Sequence, residues 1–87
     1  MKQWFVYMLR CSDDTLYTGA TDDVARRVQV HNSGKGAKYT RCRRPVELVY
    51  MESCESYSDA LKREYVIKQL TRQQKLKLIE EKESPVL

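Results

Sequence analysis

Residues 5–32 read FVYMLRCSDDTLYTGATDDVARRVQVHN. The apolar segment from Gln3 to Cys11 predicts a strand that is buried on both faces, and Thr15 to Ala20 predicts a second strand. Residues 12–14, Ser-Asp-Asp, favour a turn between them. The simplest interpretation is a two-stranded hairpin, which carries one tyrosine on each strand.

A helix is predicted directly after the hairpin. Thr21 is the expected N-cap, with Asp22 and Asp23 in the first turn, where carboxylates suit the positive end of the helix dipole. The helix then runs from about Asp22 to Asn32. At about 100° per residue, its side chains can be assigned to faces.

Val24 and Val28 mark the buried stripe of this helix. Arg27 and His31 lie one turn apart at the edge that faces the sheet, whereas Arg26 points away and is expected to be solvated. A guanidinium and an imidazole held against strands that carry tyrosine hydroxyls are suited to handling phosphate.

Length and charge limit the class of protein. A chain of 87 residues makes one small domain, predicted over residues 1–82 with a frayed C-terminal tail at 83–87. The net charge of +4 favours an anionic partner. The longest apolar run, Trp4 to Leu9, is too short to span a bilayer, and no signal-peptide pattern precedes it. We therefore predict a cytoplasmic protein without membrane contact.

The cysteines argue against a structural zinc site. Cys11, Cys42 and Cys54 are widely spaced and odd in number, and the chain has a single histidine to join them. Zinc fingers need closely spaced pairs of ligands. Reduced thiols in a reducing compartment are the expected state.

Beyond Asn32 the chain becomes basic. Residues 33–37, with Gly34 as the helix stop, predict a flexible loop. Lys35 to Arg44, here called the basic segment, contains no acidic residue. Its cations are Lys35, Lys38, Arg41, Arg43 and Arg44. The segment is either a solvated loop or a contact for a phosphate backbone, and Tyr39 within it either stacks on a base or packs the loop.

The remainder predicts one strand and two helices. Pro45 precedes a third strand, Val46 to Glu52, with Val46, Leu48 and Tyr50 on one side. A second helix is expected from Ser58 to Leu70. A capping box in residues 71–74, Thr-Arg-Gln-Gln, starts a third helix that reaches Lys82.

Glu64 is the unusual residue of the second helix. It falls in the middle of a face whose apolar members are Tyr57, Ala60, Leu61 and Ile67. A lone buried carboxylate is costly. Glu64 therefore either forms an ion pair, with Lys68 one turn on or with an arginine, or holds a divalent metal that keeps several waters beside phosphates.

Over nearly its full length the chain resembles the GIY-YIG nuclease domain. Residues 5–7, Phe-Val-Tyr, correspond to the first tripeptide and residues 17–19, Tyr-Thr-Gly, to the second, with Phe5 and Thr18 departing from the pattern. Arg27 and Glu64 follow in the expected order. The R-x-x-x-H-N element at 27–32 and the G-K-G-A-x-x-T element at 34–40 are most similar to small bacterial single-domain members. They are also similar to the catalytic subunit of eukaryotic branched-DNA endonucleases.

The resemblance implies an α/β fold in which a three-stranded antiparallel sheet is flanked by three helices, in the order β-β-α-β-α-α. It also implies metal-dependent hydrolysis of DNA phosphodiester bonds, in repair or recombination, on branched, flapped or single-stranded substrates. Tyr7 would be the general base, directly or in relay, and Tyr17 would position the water or the phosphate. Arg27 would neutralise phosphoryl charge, Glu64 would hold one Mg²⁺ or Mn²⁺, and His31 would either orient a tyrosine or serve as an auxiliary acid or base.

A set of residues is predicted to contact the nucleic acid. Gly19 would let the phosphate approach closely, and the others supply positive charge or a ring. The set is Gly19, Lys35, Lys38, Tyr39, Arg41, Arg43, Arg44 and Lys68. Family nucleases usually add a DNA-binding domain or a partner subunit, so a partner protein is expected to supply affinity.

Structural roles remain open for each site residue. Tyr7 and Tyr17 are core aromatics in that interpretation, Arg27 pairs only with Glu64, and His31 is a capping or core histidine. The alternative functions are a nucleic-acid-binding module of this fold with little or no catalytic activity, and an accessory protein that recruits a partner.

Overall fold

A computed structural model describes residues 3–83. Its elements are β1 (Trp4–Arg10), β2 (Leu16–Thr21), α1 (Val24–Asn32), α2 (Lys38–Arg41), β3 (Glu47–Cys54), α3 (Tyr57–Lys68) and α4 (Arg72–Glu83). The predicted α/β order is confirmed, with one additional helical turn, α2, inside the basic segment that was predicted as a loop. Of the predicted tail, Glu83 ends α4 and residues 84–87 lie outside the described residues.

The sheet is antiparallel with the strand order β2-β1-β3. Its central strand is buried on both faces, as predicted, since Val6, Tyr7, Met8 and Leu9 are each at most 1% exposed. Two cores result. Val6 and Met8 pack with residues of α3 and α4 on one face, the α3-side core. Tyr7 and Leu9 pack with Val24 of α1 on the other, the α1-side core.

The predicted faces of the third strand are wrong. Leu48 pairs with Leu9 whereas Tyr50 pairs with Met8, so Leu48 and Tyr50 lie on opposite faces of the sheet. A register irregularity at this point inserts Val49 as an extra residue. A bulge of one residue reverses the side-chain alternation. Tyr50 therefore joins the α3-side core, while Leu48 is 42% exposed.

The helix α1 begins two residues later than predicted, and Thr21 is not its N-cap. Asp23 is the N-cap, because its extended backbone lets the side chain accept from the Arg26 amide at 3.1 Å. Thr21 still pairs with Phe5 in the sheet, and its hydroxyl accepts from the Asp23 amide at 3.2 Å. The aspartate thus supplies the first-turn acceptor that was assigned to the threonine.

The end of α1 is tied to the start of β3 by Asn32. Its side-chain amide donates to the Val46 carbonyl at 3.0 Å, and its side-chain oxygen accepts from the Val46 amide at 2.7 Å. Gly34, as predicted, ends the helix with a φ of +86°. This clamp fixes both ends of the basic segment, which lies between them.

Only part of the predicted apolar face of α3 is buried. Ala60 and Ile67 are fully buried, but Tyr57 is 52% and Leu61 43% exposed. The capping box of α4 is confirmed, with Thr71 and Gln74 exchanging side-chain hydrogen bonds to each other's amides. None of the helices in residues 3–83 is long and apolar enough to cross a membrane.

Candidate active site

One cleft gathers most of the predicted catalytic residues. It has a volume of about 410 Å³. Its lining residues come from the hairpin, α1 and α3: Trp4, Tyr7, Tyr17, Gly19, Ala20, Thr21, Asp22, Arg27, Tyr57, Leu61 and Glu64. Because β2 is an edge strand and contributes residues from both of its faces, the cleft opens along the free edge of the sheet.

Tyr7 and His31 are joined behind the cleft. The Tyr7 hydroxyl lies 2.9 Å from His31 Nε2, and His31 Nδ1 lies 2.8 Å from the Thr40 hydroxyl oxygen. All three side chains are buried. Thr40 in turn donates its hydroxyl proton to the Ala37 carbonyl at 2.9 Å.

This chain of contacts favours one tautomer of His31. A threonine hydroxyl has a single proton, and the Ala37 carbonyl can only accept, so Thr40 must accept from His31 Nδ1–H. The lone pair of the neutral imidazole is therefore on Nε2. It accepts the phenolic proton of Tyr7, and His31 is placed as the next acceptor after the phenol.

The pKa shifts of His31 and Tyr7 keep both groups neutral, as this hydrogen-bond direction requires. Burial, aided by the nearby Arg27 guanidinium, lowers the pKa of His31, so the ring is neutral at neutral pH. Burial raises the pKa of Tyr7 to about 12, although a hydrogen bond from Arg27 opposes that rise. A neutral phenol thus faces a neutral imidazole that can take its proton.

Two glycines make room for this pair. Tyr7 and Gly19 are cross-strand partners, and a Cβ at Gly19 would lie 2.7 Å from the Tyr7 hydroxyl. The phenol of Tyr7 therefore occupies the space above Gly19. A glycine is needed here to make room for that phenol, whereas the sequence predicted that it makes room for a phosphate. A Cβ at Gly36 would overlap His31 Nδ1. Neither position can hold a larger residue without moving Tyr7 or His31.

Tyr17 lies between His31 and the basic segment. Its ring meets the edge of His31, with centroids 5.1 Å apart, and lies 6.0 Å from the ring of Tyr39. Tyr39 packs the segment rather than standing free, with the Arg43 guanidinium 4.1 Å from its centroid. Tyr17 is only half-buried and lines the cleft, where its hydroxyl can meet a phosphate or a water.

Glu64 is both paired and accessible. Lys68 Nζ lies 2.8 Å from one carboxylate oxygen, and 18% of the glutamate side chain is exposed to solvent. The predicted ion pair is therefore present, and the carboxylate still faces the cleft. The residues fit a magnesium-like cation, which needs one carboxylate and fills its other positions with waters and phosphate oxygens.

The described residues contain no metal site that is built from protein ligands alone. Within residues 3–83 there is no group of three His, Cys, Asp or Glu side chains that could enclose a metal. The thiols of Cys11, Cys42 and Cys54 are free.

The basic segment divides into structural and exposed cations. Arg43 pairs with Asp13 of the hairpin turn at 2.9 Å, and Arg44 donates to the backbone carbonyls of Arg41 and Asn32. Lys35, Lys38 and Arg41 are exposed, without an ion pair in the described part of the chain. These three remain the candidates for backbone phosphates. Arg41 lines a groove of about 560 Å³ that shares no lining residue with the catalytic cleft.

Comparisons with known proteins show the family of this chain. A model of the GIY-YIG catalytic domain matches residues 3–77. The chain belongs to the GIY-YIG family. Its GIY-YIG relatives include UPF0213 proteins of Staphylococcus epidermidis, 62% identical over 93% of this chain and 99% of the relative, and of Staphylococcus aureus, 60% identical over 94% and 100%.

Two solved structures are similar to this GIY-YIG chain. One is the NMR structure of the UPF0213 protein BH0048 from Bacillus halodurans, with 46% identity, a TM-score of 0.62, and coverage of 95% of this chain and 88% of the other. The other is the NMR structure of the protein EF2693 from E. faecalis, with 39% identity, a TM-score of 0.63, and coverage of 100% and 94%.

Sequence reasoning missed some contributors to the GIY-YIG cleft. Thr40 was quoted only as the end of a motif, and its bond to His31 becomes visible once the basic segment folds back over α1. Trp4, Tyr57 and Leu61 line the cleft although they were assigned to strand and helix packing. Lys68, in contrast, was correctly placed beside Glu64.

Proposed function

We propose that this protein is a cytoplasmic, divalent-metal-dependent endonuclease that hydrolyses DNA phosphodiester bonds. The observation that carries the proposal is the convergence of Tyr7, Tyr17, Arg27 and Glu64 on one solvent-open cleft. Two phenols, a guanidinium and a carboxylate are the groups needed to take a proton from water and to stabilise a phosphoryl transition state. The family match to a catalytic domain supports the same reaction class.

Tyr7 works in relay rather than as a stored phenolate. With a pKa of about 12, forming the free phenolate at pH 7 would cost about 7 kcal/mol. In the proposed step the attacking water gives a proton to the Tyr7 oxygen while Tyr7 passes its own proton to His31 Nε2. The new oxygen–phosphorus bond forms as the bond to the leaving oxygen breaks, and the phenol ends the step neutral.

Arg27 and Tyr17 act on the phosphate. The guanidinium of Arg27 lines the cleft and opposes the rise in the pKa of Tyr7, so it stands beside both the base and the reacting phosphorus. Its fixed charge opposes the negative charge that develops on the phosphoryl oxygens. Tyr17 donates its hydroxyl to orient the phosphate or the attacking water.

Glu64 is the candidate ligand for Mg²⁺ or Mn²⁺. The cation, when bound, would lower the pKa of a coordinated water and neutralise charge on the leaving oxygen. Glu64 would be released from Lys68 to bind it, and Lys68 would then be free to contact a neighbouring phosphate. The exposed cations of the basic segment and a partner protein would supply further affinity for DNA.

The experiment is a cleavage panel of labelled linear, flapped and four-way-junction DNA with Mg²⁺ and with Mn²⁺. We expect metal-dependent cutting that is lost in Tyr7→Phe and Glu64→Gln while circular dichroism shows an unchanged fold. Tyr65→Phe, at an exposed position outside the cleft on the same helix as Glu64, is the matched control. Cutting of flapped or branched DNA would fit a role in repair or recombination.

Binding that weakens steeply with salt, without cutting under either metal, would refute the nuclease and leave a nucleic-acid-binding module. Absence of binding at low salt would leave an accessory protein.

A further inference from the structure

One wall of the catalytic cleft is apolar. The rings of Trp4 and Tyr57 lie 4.5 Å apart between centroids, tilted by 46°, and Leu61 follows Tyr57 by one helical turn. Tyr57 and Leu61 are among the more exposed large apolar side chains of the described chain, at 52% and 43%. All three residues line the same cleft as Arg27 and Glu64. The cleft therefore has a charged side and an aromatic side.

The spacing along α3 places both functions on one stripe. Tyr57, Leu61, Glu64 and Lys68 follow each other at intervals of four, three and four residues, which is one face of a helix. The buried residues Ala60 and Ile67 hold the adjacent face against the sheet. The apolar wall and the Glu64 carboxylate are therefore about one helical turn apart along α3.

Packing alone does not account for this wall. Single exposed apolar residues are common on proteins, but exposed Tyr57 and Leu61 adjoin the partly buried ring of Trp4 in the same cleft, and together they form a surface for a ligand. A nucleotide joins a charged phosphate to a flat ring with an apolar face, and the two sides of the cleft match these two parts. Stacking of a base on an aromatic side chain contributes about 1–3 kcal/mol.

We propose that Trp4, Tyr57 and Leu61 form a subsite for an unpaired nucleobase that adjoins the scissile phosphate. The subsite rests on the proposed function for the position of that phosphate. A base inside a duplex has both faces covered by its neighbours, so only a base outside the stack can present a face to this wall. The cleft therefore selects nucleic acid with an unpaired nucleotide at the site of cutting over continuous duplex.

The test uses Trp4, the single tryptophan of the chain, as the reporter. The wild-type protein in EDTA is titrated with a fluorescein-labelled single strand and with the matching duplex, and tryptophan emission and fluorescein polarisation are recorded in parallel. We expect the single strand to quench Trp4 with the same midpoint as the polarisation change. The duplex is expected to leave the emission unchanged at equal occupancy.

Variants at the wall separate stacking from general binding. Tyr57→Ala should weaken binding of the single strand by roughly 5- to 150-fold, as follows from 1–3 kcal/mol, and Tyr57→Phe should retain it. Leu61→Ala, which removes an apolar contact but no ring, should also weaken binding. Tyr65→Ala is the matched control, since Tyr65 is 67% exposed on the same helix but outside the cleft. Circular dichroism confirms the fold of each variant.

The outcomes distinguish this subsite from the nuclease proposal. Quenching by single strands without cutting under any metal would support the subsite and refute the nuclease. Cutting without quenching, or with unchanged affinity in both alanine variants, would refute the subsite alone. A dimer in sedimentation that Tyr57→Ala dissociates would show that a second copy covers the wall, which also overturns the proposal.

Discussion

Replacing Thr40 with valine tests the direction of the proton relay. Valine keeps the shape of threonine but cannot accept from His31 Nδ1–H, which lies 2.8 Å from the hydroxyl oxygen at a fully buried site. A buried donor without a partner costs about 1–3 kcal/mol. The Nδ1–H tautomer of His31 is then no longer stabilised by an acceptor. Because this is the tautomer that can receive the proton of Tyr7, the population able to do so falls.

The expected size of the effect follows from that penalty. At about 1.4 kcal/mol for each tenfold change, the single-turnover cleavage rate of Thr40→Val should fall roughly 5- to 150-fold at saturating metal, with little change in DNA affinity. Thr40→Ser retains the hydroxyl and should cut at nearly the wild-type rate. Urea denaturation of both variants checks that each is folded under the conditions of the cleavage assay.

The single histidine makes the tautomer directly observable. Long-range proton–nitrogen NMR spectra of the ring should show protonated Nδ1 in the wild type and a shift toward protonated Nε2 in Thr40→Val. A wild-type ring protonated on Nε2 would contradict the relay. So would a valine variant that cuts at the normal rate.

Three further predictions follow from contacts around the cleft. Gly19→Ala places a Cβ 2.7 Å from the Tyr7 hydroxyl. It should lower the free energy of unfolding, measured in urea, by about 1–3 kcal/mol, and it should lower the cleavage rate at least tenfold. A normal cleavage rate would show that the phenol tolerates displacement. Lys68→Met removes the cation that competes for Glu64 and should lower the Mn²⁺ concentration for half-maximal cutting up to about fivefold; an unchanged requirement would refute competition. Burial lowers the pKa of His31 below 6.5, so on acidification the unfolded chain binds this proton before the folded chain does. The free energy of unfolding should therefore keep its full His31 contribution above pH 6.5 and fall below that pH. His31→Gln should flatten the fall in a plot of unfolding free energy against pH, and an unaltered slope would contradict the lowered pKa of His31.

Local periodicity was sufficient to place the residues of α1. The helical spacing put Arg27 and His31 toward the sheet and Arg26 in solvent, and the structure agrees. The apolar content of β1 likewise predicted a strand buried on both faces. Such features depend on one element and its nearest neighbour, and they are readable from the order of side chains.

Features that depend on distant contacts were not predictable. The bulge at Val49 depends on how β3 meets β1, and the sequence of the strand carries no sign of it. Arg43 and Arg44 looked equivalent to the other cations of the basic segment, but they are engaged by Asp13 and by backbone carbonyls. Charge counting reports how many cations are present and not how many the fold itself uses.

The cleft spans the two faces of the sheet, and this has a consequence for its alignment. Tyr7 and His31 belong to the layer under α1, whereas Glu64 belongs to the layer under α3 and α4. The hairpin of β1 and β2 lies between these layers, so its rigidity sets the distance between the proton relay and the metal ligand. A substitution that loosens only one layer would misalign Tyr7 and His31 with Glu64 while the protein stays folded. A bound nucleotide that contacts both sides of the cleft would hold these groups at a fixed distance.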